Sequence, residues 1–593
     1  MLLTPIDWVI IVVYVVGCAV AGIMMRRYIR NVDDFAVAGR EMDVHLGVAS
    51  LAATEVGIVT VMYTAQAGFE NGLSGATPGI LTAAAMLFCG ITGFVIVPLR
   101  NAGVMTIPEL FEKRFGKDVR WLAGLVVILG GVLNMGVFLR AGGDFLMNVT
   151  GMDAKAAVQF DLLGLSLSMG YLELIMTGLL AVVLVYTVLG GMISVLITDY
   201  LQFLVMGAGI VITSVLVISS VGWSDLLAQF SKARQAGEAH NAAAEAEVKQ
   251  WTRAARAIER TQGHDLAEDF LQTKVRQKGA QLKAARSELA PEGILVSTKD
   301  DPPKALTMAH PFNPFRSKGW PWVLWQAMTA LAVVTTWQTT IARVLSARDS
   351  ATAKRVYRGT WFYFVGRWCL PGLWGAGAFW YFMSHGGLPD GIDSLTAMPR
   401  YLGILLSGAF TGFLGLMIAA MLAAEMSTDS GYLLTWATVI YNDLICPCLR
   451  RPLSQRARLL IVRTLVLAIG LFLVFWGLWY EPPGDIWEYL AITGNIYLAS
   501  LFALLVGGLY WRRANRRGAM WAIVLGAAGP VAFLVVNFIV GKDSAYRIPG
   551  EVSGLAAFGL AFAGMIVGSL MGEKSGRNPS GVPAPAVNPE EAH

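Results

Sequence analysis

The stretch Ala424-Glu425-Met426-Ser427-Thr428-Asp429-Ser430 lies inside an apolar run, from about Tyr401 to Ile445, that is long enough to cross a membrane. Carboxylates are costly at that depth, about 2.5–3.5 kcal/mol for an acid at a helix centre. Ala424, Ser427 and Thr428 are spaced i, i+3 and i+4, so they share one helical face. One carbonyl and two hydroxyls on a face can bind a small hard cation. Such hydroxyls more often bond to carbonyls one turn earlier or join neighbouring helices, so the stretch alone favours a structural role.

The composition is that of a polytopic membrane protein. Of the 593 residues, 55% are hydrophobic and 15% are charged, whereas soluble proteins carry roughly 25% charged residues. The net charge of +5 comes from basic residues between apolar runs, so it does not indicate nucleic-acid binding. The five cysteines fit neither a disulfide framework nor a zinc site. No phosphate-binding glycine loop, metal-spaced histidine pair or Ser/His/Asp set is present in the sequence, so an enzyme is not expected.

About thirteen apolar runs reach the length of about 18 residues that a helix needs to cross a membrane. The sequence therefore predicts an all-α protein with about thirteen transmembrane helices. Their approximate limits are 8–25, 45–69, 76–99, 120–148, 169–189, 195–221, 320–342, 359–384, 402–445, 459–480, 487–511, 519–541 and 553–572. The span at 402–445 is too long for one crossing, and we expect it to extend beyond the membrane.

Basic residues predict the orientation of these spans. The first span follows Asp7 and precedes Arg26 and Arg27, the reverse of a signal peptide, so its N-terminus is expected outside. Every second loop is rich in basic residues: Arg26, Arg27, Arg30 and Arg40; Arg100, Lys113, Arg114, Lys117 and Arg120; Arg343, Arg348, Lys354, Arg355 and Arg358; Arg450, Arg451, Arg456 and Arg458; Arg512, Arg513, Arg516 and Arg517. These loops are expected in the cytoplasm with the C-terminus, and the bacterial inner (plasma) membrane is the expected location.

The segment 222–319 differs from the rest of the chain. It is polar and rich in Ala, Glu, Lys and Arg, which predicts amphipathic helices such as Asp225–Ile258 and Asp265–Leu289 on the extracytoplasmic side. A solvated helical insertion is favoured over a domain that binds an extracytoplasmic partner. The tail 573–593, rich in Pro, Ala and Asn, is expected to be disordered and cytoplasmic.

Five stretches then point to a family. They are Asp34-Phe-Ala-Val-Ala-Gly-Arg40, Thr106-Ile-Pro-Glu-Leu-Phe-Glu-Lys-Arg-Phe115, Thr198-Asp199-Tyr-Leu-Gln202, the opening stretch, and Gly507-Gly-Leu-Tyr-Trp-Arg-Arg-Ala-Asn-Arg-Arg-Gly518. Each is a weak signal, but in this order and spacing the sequence resembles the sodium:solute symporter family, relatives of sodium/galactose, sodium/proline and sialic acid transporters. The resemblance runs from about Asp7 to Gly526, interrupted by the insertion.

The resemblance implies a leucine-transporter-like fold of two inverted five-helix repeats, here 45–221 and 320–511. The helix within 1–30 and the two within 519–572 would be peripheral. The first core helix of each repeat is expected to be broken at mid-membrane, where substrate and ion bind. In the first repeat, Gly57 lies near the centre of the predicted span 45–69, close to the polar pair Thr54 and Glu55.

The resemblance also implies a Na⁺ site. Its ligands would be the carbonyls of Ala53, Val56 and Ala424 and the hydroxyls of Ser427 and Thr428. Some members have a second sodium site, and its residues match at Asp199 and Ser430, whereas the second hydroxyl position is Gly431. A second sodium is therefore in doubt, and Asp199 is open to a gating or structural role instead.

Three intramembrane acids, Glu55, Glu425 and Asp429, and two bases, Arg140 and Arg367, need their own explanation. Internal ion pairing, of Glu55 or Asp429 with either arginine, is the favoured one, because a buried charge must be paired or neutralised. In the functional alternatives, Glu55 binds a substrate amino group, an arginine binds a carboxylate, or Glu425 or Asp429 titrates and gives proton coupling or proton–sodium competition.

The substrate is expected to be a small charged or zwitterionic solute. Sugar transport is disfavoured. Sugar-transporting relatives carry a ring-binding Glu at a position that aligns near Gly79 and a Gln at one that aligns near Thr60, so both side chains are missing here. The candidate substrate residues are Glu55, Thr60, Arg140, Trp337, Gln338, Thr493 and Asn495. The predicted function is sodium-coupled symport by alternating access, in which sodium joins the first core helix to the eighth, the helix that carries the opening stretch. The alternatives are a sensor or receptor with a transporter fold, and a proton-coupled carrier.

Overall fold

The computed structural model describes most of the chain. The described residues are 2–152, 157–162, 165–235, 310–389, 391–449, 453–479, 486–540 and 548–571, with short pieces at 250, 253–254, 257, 295–296 and 304–305. The tail 573–593 and most of the insertion 222–319 therefore lie outside the described residues.

Helices form nearly all of the described structure, as predicted. In the first half of the chain they are α1 (Pro5–Met24), α2 (Val32–Val37), α3 (Val44–Thr54), α4 (Ile58–Asn71), α5 (Thr77–Thr92), α6 (Ile96–Asn101), α7 (Ile107–Phe115), α8 (Lys117–Met135), α9 (Phe138–Thr150) and α10 (Tyr171–Ser220). In the second half they are α11 (Pro314–Ser317), α12 (Gly319–Thr336), α13 (Gln338–Ser346), α14 (Ser350–Ser384), α15 (Ala397–Ala409), α16 (Phe413–Val439), α17 (Gln455–Trp479), α18 (Ile486–Tyr510), α19 (Arg516–Val540) and α20 (Gly550–Leu570).

The first core helix of the first repeat is broken where the sequence predicted. Helix α3 ends at Thr54, and α4 begins at Ile58 after Gly57, whose backbone is extended (φ −71°, ψ 161°). A Cβ at Gly57 would lie 2.8 Å from the Thr428 Oγ1 atom, so only glycine lets α16 approach this closely. The opening stretch of the sequence is thus packed directly against the break.

The second repeat contains the corresponding break. Helix α12 ends at Thr336 and α13 begins at Gln338, with Trp337 between them in an extended conformation (φ −64°, ψ 111°). Backbone groups freed at such breaks are tolerated at membrane depth when they line a cavity or are buried in protein. The prediction of two broken core helices is confirmed.

The opening stretch lies in the middle of α16, where residues 414–439 are buried almost without interruption. The prediction of one long helix over 402–445 is wrong at its start. Residues 402–409 belong to the separate helix α15, and Gly412, with φ 95°, turns the chain before α16 begins. At the other end a π-helical turn, Ile440–Ile445, does extend the helix.

Other boundaries also differ from the prediction. The spans at 169–189 and 195–221 form one element, α10, bent at Gly191 (φ 48°). A hairpin of β1 (Ala157–Leu162) and β2 (Leu165–Gly170) precedes it, so the protein is not purely helical. In the insertion, residues 223–235 are helical, and β3 (Leu295–Val296) pairs with β4 (Lys304–Ala305). The predicted helix Asp265–Leu289 and most of Asp225–Ile258 lie outside the described residues.

Nine helical segments of the described chain are long and apolar enough to cross a membrane. The broken helices explain part of the difference from thirteen, since α3 has only 11 residues. Helix α16 packs against α1, α3, α10 and α17 at the centre, whereas α19 and α20 pack mainly on each other and on α18. The number of crossings stays a prediction.

Candidate functional site

The predicted sodium hydroxyls meet the break of the first core helix. The Thr428 hydroxyl donates a hydrogen bond to the carbonyl of Thr54, at 3.0 Å. The Ser427 Oγ atom lies 3.3 Å from the Thr54 hydroxyl. Ala53, Val56 and Ala424, whose carbonyls complete the predicted site, are all buried. The structure therefore brings the two predicted hydroxyl ligands, Ser427 and Thr428, to the end of α3 at Thr54. The three predicted carbonyl ligands belong to buried residues of the same two segments, and the predicted set offers only oxygens.

Asp199, on α10, lies beside these hydroxyls and is fully buried. Its Oδ1 atom accepts a hydrogen bond from Ser427 at 2.6 Å. Its Oδ2 atom accepts from Ser50 at 2.5 Å, from Thr54 at 3.3 Å and from the Arg343 guanidinium at 3.2 Å. The acid is therefore held by four donors from three different parts of the chain.

Arg343 is a buried residue of this site that the sequence interpretation missed. It was assigned to a basic cytoplasmic loop, but it lies in α13 and its side chain is completely buried. Besides Asp199, the guanidinium donates to the Thr54 hydroxyl at 2.6 Å, the Ser50 hydroxyl at 3.2 Å and the carbonyl of Thr339 at 3.1 Å. The signal that could have found it is its position, seven residues beyond Thr336, where a broken helix continues past the predicted end of the span.

Ser430, the other match to a second sodium site, does not donate a hydrogen bond to Asp199, and Gly431 has no hydroxyl to offer. The Ser430 hydroxyl donates to the carbonyl of Ser427 in its own helix, at 3.2 Å. A Cβ at Gly431 would lie 3.0 Å from Nη2 of Arg343 and 3.3 Å from Nη1. The guanidinium therefore covers the helix at this glycine.

Glu425 and Asp429 are completely buried on α16. Neither carboxylate has a hydrogen-bond partner of normal geometry among the described residues, although Glu425 faces the backbone N–H of Ile58. Glu425 also faces α9, since a Cβ at Gly142 would lie 3.3 Å from its Oε1 atom. The predicted pairing of Asp429 with Arg140 or Arg367 does not occur.

A cavity lies between the two broken helices. Its volume is about 810 Å³ when the part open to solvent is included. Its polar or charged lining residues are Thr54, Glu55, Thr60, Tyr63, Thr82, Asn134, Gln326, Thr329, Arg367, Thr428 and Tyr432. Because Thr428 belongs both to this wall and to the predicted sodium site, the cavity and the ion site share a boundary.

Glu55 and Arg367 form an ion pair in the cavity wall. The Arg367 Nη1 atom lies 2.9 Å from Oε2 of Glu55, and the two side chains are 11% and 8% exposed. The other oxygen of Glu55 accepts a hydrogen bond from Thr340 at 2.5 Å. The Arg367 Nε–H has no partner among the described residues. The structure thus shows one of the predicted ion pairs, and the Nε–H of Arg367 is available to bind a ligand.

Aromatic side chains form the rest of this wall. The rings of Tyr63, Trp368 and Trp487 all contact one another, with centroid distances of 5.0 to 5.3 Å. On the facing helix α12, the Gln326 amide nitrogen and the Thr329 hydroxyl are buried without a hydrogen-bond partner in the described ranges. One side of the cavity is therefore aromatic, and the other offers polar groups to a ligand.

The profile of the family described as "Sodium:solute symporter family" matches residues 35–526 of this chain. The chain belongs to the sodium:solute symporter family. Its relatives include the sodium/glucose cotransporter 4 of Danio rerio, 24% identical over 575 residues, which cover 91% of this chain and 73% of the relative. A sodium/mannose cotransporter of Bos taurus is 26% identical over 576 residues, covering 91% of this chain and 80% of the relative.

A solved structure shows the same fold. It is the substrate-bound outward-open state of a Na⁺-coupled sialic acid symporter, with a TM-score of 0.68 and 14% sequence identity, covering 96% of this chain and 98% of that one. The leucine-transporter-like fold predicted from the sequence is confirmed. The symporter is an integral membrane protein that couples the movement of a small solute to sodium by secondary active transport.

The structure divides the remaining predicted substrate residues of the symporter into two groups. Thr60 and Trp337 line the cavity with Glu55. Arg140, Gln338, Thr493 and Asn495 do not line it. Arg140 lies 3.2 Å from the carbonyl of Leu478 and 3.7 Å from the Asp144 carboxylate.

The other three residues of the second group are buried in helix contacts. Gln338 accepts a hydrogen bond from the backbone N–H of Ile107, at 3.3 Å. Thr493 lies 3.2 Å from the Asn134 amide nitrogen, and Asn495 has no hydrogen-bond partner in the described part of the chain. The helix of Thr493 and Asn495 does line the cavity, but through Leu490, Ala491 and Leu498.

Proposed function

We propose that this symporter carries a small zwitterionic solute, held between the two broken helices. The observation that carries the proposal is the Glu55–Arg367 ion pair in the cavity wall. A solute with a single charge would bind one partner and leave the other as an uncompensated buried charge, a loss of about 3–5 kcal/mol. A zwitterion can exchange both partners at once, its ammonium facing Glu55 and its carboxylate facing Arg367, and leave no net charge.

The neighbouring groups suit both ends of such a solute. An ammonium beside the rings of Tyr63, Trp368 and Trp487 gains about 0.5–2 kcal/mol from cation–π attraction. The spare Nε–H of Arg367 supplies a second donor to a carboxylate, and bidentate arginine–carboxylate contacts are among the strongest in proteins. Gln326 and Thr329 are available for a hydroxyl or carbonyl elsewhere on the solute.

The coupling ion is proposed to bind the carbonyls of Ala53, Val56 and Ala424 and the hydroxyls of Ser427 and Thr428. The contact of Thr428 with the carbonyl of Thr54 supports this, because it places a ligand hydroxyl at the unwound backbone. Sodium bound there joins α16 to the break and stabilises the cavity wall that Thr428 and Glu55 share. By linkage, sodium and solute then raise each other's affinity by the same factor.

The test of the substrate class is uptake into proteoliposomes with an inward sodium gradient. A panel of zwitterions, anions, cations and neutral sugars is compared for sodium-dependent accumulation. Zwitterions are expected to accumulate, and Glu55→Gln and Arg367→Gln are each expected to reduce that uptake at least tenfold, a change of about 1.4 kcal/mol. Arg140→Gln is the matched control, an intramembrane arginine outside the cavity. Accumulation of neutral sugars that is insensitive to both cavity substitutions would contradict the proposed class.

The orientation of the chain is also proposed, with the N-terminus outside, the C-terminus in the cytoplasm and the segment 222–319 outside, in a bacterial inner membrane. Basic residues between spans support it. Cys446 and Cys448 are exposed in the turn that follows the π-helical turn after α16. Cys18 and Cys89 are buried, and Cys369, which is partly exposed, is replaced by Ser in the labelling experiment. A membrane-impermeant maleimide is expected to label Cys446 and Cys448 only after permeabilisation. Labelling in intact cells would reverse the assigned orientation. If labelling needs permeabilisation, the segment 222–319 lies outside, and crosslinking in intact cells tests it for an extracytoplasmic partner.

A further inference from the structure

Basic side chains are concentrated at the turn between α18 and α19. Four arginines within this turn or just after it are exposed: Arg512, Arg513, Arg516 and Arg517. Arg516 forms an ion pair with Asp118 of α8. The side chains of Arg512 and Arg513 have neither an ion pair nor a hydrogen bond among the described residues. Two neighbouring positive charges are therefore left without a counter-charge at this turn.

The backbone of the turn is held from two sides. Arg114, in the last turn of α7, donates to three backbone carbonyls at 3.2 to 3.4 Å, those of Gly508, Trp511 and Arg512. The Asn515 side-chain amide donates to the carbonyl of Ser569, near the end of α20, at 2.9 Å. The backbone that carries the two unpaired arginines is thus fixed in advance, which lowers the entropy cost of binding a ligand there.

An apolar cleft adjoins this turn, between α7 and α18. Its volume is about 230 Å³ when the part open to solvent is included. Apart from Arg114 and Gly508, its lining consists of leucine and phenylalanine side chains, among them Phe111 and Leu505. Because Arg114 both lines the cleft and binds the turn, the apolar surface and the unpaired arginines belong to one corner of the molecule.

Exposed aromatic residues place this corner at the edge of the membrane. Tyr510, the last residue of α18, is 46% exposed, and Trp121, in the second turn of α8, is 43% exposed. Both residues lie near the end of a helical segment that is long and apolar enough to cross a membrane. Exposed Tyr and Trp at such ends mark the level of the lipid headgroups. Arg512 and Arg513 follow Tyr510 directly in the turn, so they lie at that level.

We propose that this basic corner, formed by Arg512, Arg513 and the cleft between α7 and α18, binds an anionic phospholipid. The charged headgroup lies on the two arginines, and the apolar part of the lipid covers the cleft. A free phosphate would leave the cleft uncovered, and a lipid without net charge would leave both arginines uncompensated. Basic clusters at the cytoplasmic end of membrane helices attract anionic lipids, and in the proposed orientation this corner faces the cytoplasm.

Helix α7 connects the basic corner to the transport machinery. Its first residue, Ile107, donates its backbone N–H to the side chain of Gln338, beside the break of the second repeat. Its last turn carries Arg114, which binds the α18–α19 turn. A lipid bound at the corner therefore stabilises the helix that contacts the second break, and this inference does not depend on the identity of the solute.

Lipid titration of the purified full-length protein in a nonionic detergent tests the proposal. Short-chain phosphatidylglycerol is the probe, and short-chain phosphatidylcholine and inorganic phosphate are compared at the same concentrations. Phosphatidylglycerol is expected to raise the melting temperature of the wild type as its concentration rises. Arg512→Gln with Arg513→Gln should weaken this binding at least tenfold. Arg26→Gln with Arg27→Gln removes the same charge from an exposed pair after α1, and this matched control should bind as the wild type does.

Amide hydrogen exchange of α7 is the second measurement. Exchange is expected to slow with phosphatidylglycerol in the wild type and in the Arg26/Arg27 control, but not in the Arg512/Arg513 variant. An equal effect of phosphatidylcholine or of inorganic phosphate would overturn the proposal, because the site would then not require an anionic lipid. Equal weakening in both double variants would overturn it as well, since total surface charge rather than this corner would then attract the lipid.

Discussion

Buried acids lie on both sides of the proposed sodium hydroxyls, and the protein surrounds them differently. Asp199 receives four hydrogen bonds, including one from Arg343. Glu425 and Asp429, on the opposite side of α16 from Ser427, have no hydrogen-bond partner of normal geometry among the described residues. Residues two apart on a helix point in nearly opposite directions, so Ser427 faces the Asp199 side.

The difference shows where the structure depends on a charge. A buried ion pair is destabilised strongly when one partner is removed, because the other charge is left uncompensated. A buried carboxylate without a partner is unfavourable in the folded state from the start, and replacing it with a neutral amide breaks no ion pair. Substitutions that look alike in the sequence should therefore change stability by very different amounts on the two sides of α16.

The largest effect is expected for Asp199→Asn. It leaves Arg343 buried without a counter-charge and should lower the free energy of unfolding by about 3–5 kcal/mol. The measurement is thermal or denaturant unfolding of the protein in detergent. Asp118→Asn is the control, because Asp118 forms an exposed ion pair with Arg516 that is expected to contribute less than about 1 kcal/mol. Equal losses in the two variants would show that the Asp199 pair is not special.

Removal of sodium should have the next largest effect. Saturating sodium, at about 100 times its dissociation constant, stabilises the folded state by about 2.7 kcal/mol. Replacing it with a large organic cation should therefore lower the melting temperature of the wild type and of Glu425→Gln by similar amounts. Thr428→Ala, which removes a proposed ligand, should melt at the same temperature in both salts. If sodium still raised the melting temperature of Thr428→Ala but no longer that of Glu425→Gln, the sodium site would be assigned to the Glu425 side of α16.

Glu425→Gln itself should change stability by less than about 1 kcal/mol in either direction, since no hydrogen bond of normal geometry is lost. Asp429→Asn is a second variant on the same helical face, with the same expectation. Both are compared with Asp199→Asn in the same unfolding experiment. A loss as large as that of Asp199→Asn would reveal a partner for these acids that the described residues do not provide.

The sequence predicted the helices of this site better than the contacts between them. The break near Gly57 follows from the family resemblance and the shared face of Ala424, Ser427 and Thr428 from local spacing. The break is present, and Ser427 and Thr428 both contact Thr54 at its edge. The pairing of Glu55 with Arg367 was one of several alternatives, because the partners are 312 positions apart and spacing cannot choose among them.

Arg343 was missed for a different reason. A count of basic residues assigns every arginine near the end of an apolar span to a loop. Helix α13 continues to Ser346, beyond the predicted limit at 342, so this arginine lies inside the bundle. Breaks such as the one at Trp337 lengthen the path of the chain through the protein, and apolar length alone does not record that.

The smallest effect is expected for Ser430→Ala, which tests the border between the two sides. In a site with a second sodium ion this hydroxyl would be a ligand, and its loss would reduce the number of bound ions or their affinity. In this structure it donates to the Ser427 carbonyl one turn earlier, and Arg343 covers the neighbouring Gly431. Removing a hydroxyl that bonds within its own helix should cost about 0.5–1.5 kcal/mol of stability at most. Sodium titration of Ser430→Ala should therefore match the wild type in affinity and in Hill coefficient. A tenfold weaker sodium affinity would show that the Ser430 hydroxyl binds sodium. A sodium ion would then lie on the Asp199 side of α16 in addition to Arg343.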